Sequence, residues 1–136
     1  MKKIAVLLCC AVSVLLCVPG RSSAARAEPI YDTEIRVPPT VKTEDVAHAI
    51  RKALIANGWT IQAQSNGLIE SKILWRSHSA EIRIPYDREY VRIKYVSSTN
   101  LLYNEEKGIR MIHRNYNKRI KDLERDITNR LAVLTS

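Results

Sequence analysis

Three histidines, His48, His78 and His113, are the side chains of this 136-residue chain best suited to proton transfer near neutrality. They are widely separated and lack the paired spacing of a zinc site, so no metal or cofactor is expected. Ser97, Ser98 and His113 supply two of the three residue types of a hydrolytic triad, with Asp87 or Glu105 as a third. No Gly-x-Ser-x-Gly nucleophile elbow accompanies them, so a small hydrolase using His113 with a nearby Ser or carboxylate stands only as the alternative. The leading expectation is a non-catalytic binding or structural module. Its candidate contact residues lie in and around a polar segment, 97–108, and the start of the last helix: His78, Ser98, Asn100, Tyr103, His113, Asn115 and Asn117. A second set, Arg110, Arg114, Lys118, Lys121 and Arg125, follows spacings of 4, 4, 3 and 4, which makes one basic flank if the segment is helical. Such a flank suits an anionic envelope surface, whose charge attracts Lys and Arg.

Periodicity indicates the elements that must position these residues. Tyr31–Val37 reads as a strand ended by Pro38-Pro39. Thr43 resembles an N-cap for a helix from about Glu44 to Ala56, with Asn57-Gly58 as its left-handed stop. Trp59, Ile61 and Ala63 alternate with polar residues, and Ser65-Asn66-Gly67 reads as a hairpin turn. Leu68–Trp75 returns, and Arg76-Ser77-His78 turns again. Ala80, Ile82 and Ile84 form the next apolar face, and Val91, Ile93 and Tyr95 the last. Connections this short force antiparallel neighbours. Ile109, Ile112, Tyr116, Ile120, Leu123, Ile127, Leu131 and Leu134 recur at helical spacing and predict one long amphipathic helix. An irregular loop from Ser97 to Gly108 would precede it, with His113 packed inward and hydrogen-bonded to that loop. His48 lies off the apolar face of the first helix. The expected fold is α+β: a two-layer sandwich, an antiparallel meander of four or five strands with two helices packed on one face.

The first residues carry a different signal. Lys2-Lys3, an apolar run from Ile4 to Val18, and Ala25-Arg26-Ala27 have the anatomy of a secretory signal, giving a signal peptide over 1–27 and one domain over 28–136. Ser23-Ala24-Ala25 is the second cleavage choice. The apolar run is shorter than the roughly 20 residues a membrane span needs, so no span is expected after cleavage. All three cysteines, Cys9, Cys10 and Cys17, leave with that segment. Leu16 stands where a lipoprotein signal places a small residue, which disfavours the alternative of lipid anchoring at Cys17. Removing Lys2, Lys3, Arg21 and Arg26 takes Lys+Arg from 22 to 18 against 14 Asp+Glu, so the net charge falls from +8 to +4. Mild charge and export disfavour nucleic acid, leaving an envelope protein or anionic envelope surface as the expected partner in the periplasm or cell envelope.

One combined pattern extends over residues 46–131. Gly58-Trp59, His78, Tyr95, Ser98, Asn100-Leu101, Tyr103, Ile112-His113, Asn115-Tyr116-Asn117 and Leu123 together resemble a family of small exported bacterial proteins, many of them lipoproteins, with no established activity. The resemblance implies an exported α+β domain and brings no catalytic residues. Relatives carry a Trp soon after the Asn-Tyr-Asn, where this chain has Lys118-Arg119.

Overall fold

A computed structural model describes residues 26–136. The signal segment and its cysteines therefore lie outside the described residues, apart from Arg26 and Ala27. The elements run β1 (Ala27–Pro29), β2 (Thr33–Arg36), α1 (Thr43–Ala56), β3 (Thr60–Ser65), β4 (Leu68–Trp75), β5 (His78–Pro85), β6 (Tyr90–Thr99), β7 (Asn104–Glu106), β8 (Ile109–His113) and α2 (Arg114–Val133). They build the expected α+β architecture. Strands β3 to β6 form the meander, and β2 adds to its β6 edge in the order β2-β6-β5-β4-β3.

Inward-facing residues of the meander, Ile69 and Ile73, Ala80, Ile82 and Ile84, Val91 and Ile93, pack into one core with Val46, Ile50, Ala53 and Leu54 of α1. Tyr116, Ile120, Leu123, Ile127 and Leu131 of α2 close the same core. Asn57 ends α1 and ties it to α2 through a bond from its amide to Asp126 (2.9 Å), which Arg130 also holds. Gly58 follows at φ +82°, where a side chain would be strained, so the stop falls as the sequence indicates. Gly67 closes the β3–β4 hairpin at φ +80°.

Four expectations need correction. Lys42, not Thr43, is the N-cap of α1, and no side chain caps that end. Glu44 and Asp45 in the first turn still offset the positive helix end. Ala63 is exposed rather than inward, because the β3–β4 register slips between Ile61 and Ala63 and a slip reverses the facing of later residues. The segment 97–108 is not an irregular loop: β6 continues to Thr99, and Asn104–Glu106 pairs with Ile109–His113 in a hairpin. That hairpin joins β1 in a second, three-stranded sheet ordered β1-β8-β7. Accordingly α2 starts at Arg114. Ile112 is buried from a strand, whereas Ile109 and Leu134 are exposed, so neither belongs to the helix stripe.

Candidate functional site

His78 opens β5 directly across from Trp75, separated by the two-residue turn Arg76-Ser77 with Arg76 at φ +53°. It is half-buried and belongs to the strand, whereas the sequence places it in the turn Arg76-Ser77-His78. Its Nδ1 lies 2.8 Å from the Asn100 carbonyl oxygen. A carbonyl only accepts, so Nδ1 carries the proton and Nε2 remains available. Asn100, at φ +59°, also donates from its side-chain amide to the Ser77 carbonyl (3.0 Å). One asparagine therefore holds both the histidine and the turn before it.

His113 ends β8 and caps α2. Its backbone N–H donates to the Leu101 carbonyl (2.7 Å), so the contact with the preceding loop exists, but through the main chain. The ring instead accepts from the Asn115 N–H at Nδ1 (3.1 Å), which corrects the expectation of a side-chain bond to the loop. That bond needs an unprotonated Nδ1. Burial lowers the pKa of His113 first, and the neighbouring positive groups Arg114 and Arg26 push the same way.

The helix start places its other residues in opposite settings. Asn117 is 3 % exposed, and the chain uses its whole amide. Its Oδ1 accepts from the Tyr31 N–H, while its Nδ2 donates to Glu28 Oε1 and the Pro29 carbonyl at 2.8–2.9 Å. Asn117 thus fastens the N-terminal strand and is not available to a ligand. Ser98 is likewise occupied, by Tyr95 Oη at 2.7 Å. A bulge at Val96 brings both to the inner side of β6. Tyr103 stacks on Tyr95 at 4.7 Å and donates to Glu105, a bond that raises its pKa. Asp87 sits in the turn beyond the far end of β5, accepting from the Glu89 and Tyr90 N–H groups, which lower its pKa. Among the described residues no hydrogen bond joins His113 to Ser97 or Ser98, and Ser97 bonds to Glu81.

The basic flank also divides. Arg110 lies on β8, not on the helix, and pairs with Asp32 at 3.3 Å. Lys121 rests over the Tyr31 ring, 5.0 Å from its centre, and Arg125 pairs with Asp122 at 2.8 Å. Arg114 and Lys118 stay exposed and make no ion pair among the described residues.

What does converge is a groove of about 370 Å³ between the β4–β5 turn and α2, lined by Trp75, Arg76, His78, Asn115, Lys118, Arg119 and Asp122. His78, Asn115 and Lys118 were candidates from sequence; Trp75, Arg76 and Arg119 were missed. Their signal was present but divided. The Arg119 guanidinium carbon lies 4.2 Å from the Trp75 ring centre, and His78 packs against the same indole at 5.4 Å. The only carboxylate of the groove, Asp122, is held by Arg125.

A second groove, beneath β2 and β6, differs because its Arg92 and Arg110 already pair with Glu34 and Asp32. Among the described residues no three His, Cys, Asp or Glu side chains cluster as a metal site, and no helix is long and apolar enough to cross a membrane. Comparison by sequence finds no matching family model and no matching curated protein.

Proposed function

We propose that this chain is an exported, non-catalytic binding module of the bacterial cell envelope, which meets an envelope protein or anionic envelope surface at the Trp75–Arg119 groove. The observation that carries this reading is the convergence of Arg76, Lys118 and Arg119, none of them in an ion pair among the described residues, on one groove lined by a single carboxylate, Asp122, which Arg125 already pairs. Clustered unpaired cations repel one another, a cost that an anionic partner offsets. The hydrolase alternative gains nothing from a His113 ring engaged in capping α2 and a Ser98 hydroxyl engaged by Tyr95. Export rests on the signal anatomy of residues 1–27 and on the resemblance to small exported proteins. Cleavage after Ala25 would keep all of β1, and cleavage after Ala27 would keep Glu28 and its bond to Asn117.

Site-specific photo-crosslinking tests the surface. A benzoylphenylalanine at Ser77, on the rim of the groove, should yield discrete adducts in envelope fractions, and one at Gln62 on the exposed β3 strand should not. No adduct from position 77, or equal adducts from both positions, contradicts the reading.

A further inference from the structure

Arg119 is half-buried, stacked on an indole and without a hydrogen bond or ion pair among the described residues. A guanidinium in that state is unusual. Partial burial removes some of its water, and stacking satisfies its face but not its edge. Its N–H donors lie in the guanidinium plane, so contact of its face with the indole leaves the hydrogen-bonding fork open. The fork matches two oxygens of one oxyanion.

The surroundings decide which oxyanion. Arg76 and Lys118 add two full positive charges to the same groove, and Asp122 is already engaged by Arg125. Three cations around one space favour a dianion over a single carboxylate. The Asn115 side-chain amide, which makes no hydrogen bond within the described residues, adds an N–H donor to the same groove. The volume of about 370 Å³ falls in the lower part of the range for small-molecule sites.

We propose, resting on the binding-module reading, that the groove is a receptor for a phosphate monoester, with the Arg119 fork on two of its oxygens and Lys118 and Arg76 neutralising the charge. The phosphate monoester could be borne on a lipid headgroup or be free in solution.

Titration of the exported protein with glycerol 3-phosphate, followed by the Arg119 side-chain NMR signal, tests the soluble source; acetate at matched ionic strength is the comparison. Sedimentation with phosphatidylcholine vesicles containing phosphatidic acid, a monoester, or phosphatidylglycerol, a diester, tests the membrane source. We expect saturable binding to at least one monoester, and no saturation with acetate or the diester. Arg119→Lys, which keeps the charge and loses the fork, should weaken monoester binding by about tenfold, the effect of one strong charge-assisted bond. Lys118→Ala, at an exposed position, provides a second variant with little risk to folding, and Lys121→Ala, outside the groove, should bind as wild type. Binding only to vesicles assigns the phosphate to a membrane, and binding only to glycerol 3-phosphate assigns it to a free ligand. Failure to saturate with either monoester overturns the proposal, as does unchanged binding by both Arg119→Lys and Lys118→Ala. Adducts from position 77 alongside a null titration would overturn the phosphate assignment alone, whereas loss of those adducts removes the module reading itself.

Discussion

The open face of the meander and the groove at the start of α2 are both rich in cations, and they treat them in opposite ways. On the sheet, Lys72 meets Glu81, Arg83 meets Glu70 and Arg92 meets Glu34, each from a neighbouring strand at 2.7–3.6 Å. Antiparallel pairing sets these opposite charges side by side, and among the described residues Lys94, opposite Arg83, is a cation of that face left without an ion pair. In the groove, Arg76, Lys118 and Arg119 come from the β4–β5 turn and α2, and among the described residues none of them makes an ion pair. Charge content alone therefore does not identify a functional surface in this molecule. The presence or absence of a built-in counter-charge does.

The two regions should also break differently. The largest expected effect belongs to the sheet-and-helix core. Trp59 is 3 % exposed, and its truncation in Trp59→Ala should cost about 3–5 kcal/mol in urea unfolding. Its indole Nε1 is the one buried side-chain polar atom without a partner among the described residues. Trp59→Phe, which removes that unpaired donor, should cost much less, within about 2 kcal/mol. A loss below about 1 kcal/mol for Trp59→Ala would show that the indole does not support the core.

Next comes the fastening of the N-terminal strand to α2. Asn117→Ala leaves the Tyr31 N–H and the Pro29 carbonyl without their partner and should cost about 1–3 kcal/mol. Faster amide exchange at Tyr31 than in β5 would accompany it, and an unchanged exchange rate would mean that Asn117 does not fasten this segment.

The cap on α2 sets a smaller effect with a pH signature. Because the pKa of His113 is lowered by folding, its contribution is complete above the ordinary value of 6.5 and is lost as pH falls through the lower folded value. His113→Ala should lower stability by about 1 kcal/mol at neutral pH, the usual effect of losing a cap. His113→Asn should keep the cap and flatten the slope of the thermal midpoint below pH 6.5. An Asn variant with the wild-type slope would place the titration elsewhere.

The smallest effect lies on the sheet face. Glu70→Gln removes one half of an exposed pair and should change stability by less than about 1 kcal/mol. A larger loss would mean that the charge ladder holds the sheet together rather than merely solvating it.

These contrasts follow how legible each region is in the sequence. Val91 and Ile93, Ile82 and Ile84, and Asn66-Gly67 give the meander away because alternation and a positive-φ turn are local signals. The β7–β8 hairpin is hidden for the same reason. Its turn is Lys107-Gly108, both at positive φ, and lysine carries no such expectation. Ile109 and Ile112, three residues apart, continue the helical spacing of Tyr116 and Ile120, so a strand that feeds directly into a helix reads as helix throughout. The groove is legible only in part. Asn115 and Lys118 lie together on α2, but Trp75 and His78 reach them only once the β4–β5 hairpin folds across, a juxtaposition that no spacing encodes.

The most direct test of the central claim is a pair of charge reversals that change net charge equally. Lys118→Glu alters the groove. Lys94→Glu alters the sheet face at a position opposite Arg83, where a glutamate is well tolerated. Binding of the two exported variants to isolated envelope membranes is compared at one ionic strength. Lys118→Glu should lose binding and Lys94→Glu retain it; equal losses would show that overall charge, and not the groove, governs the interaction.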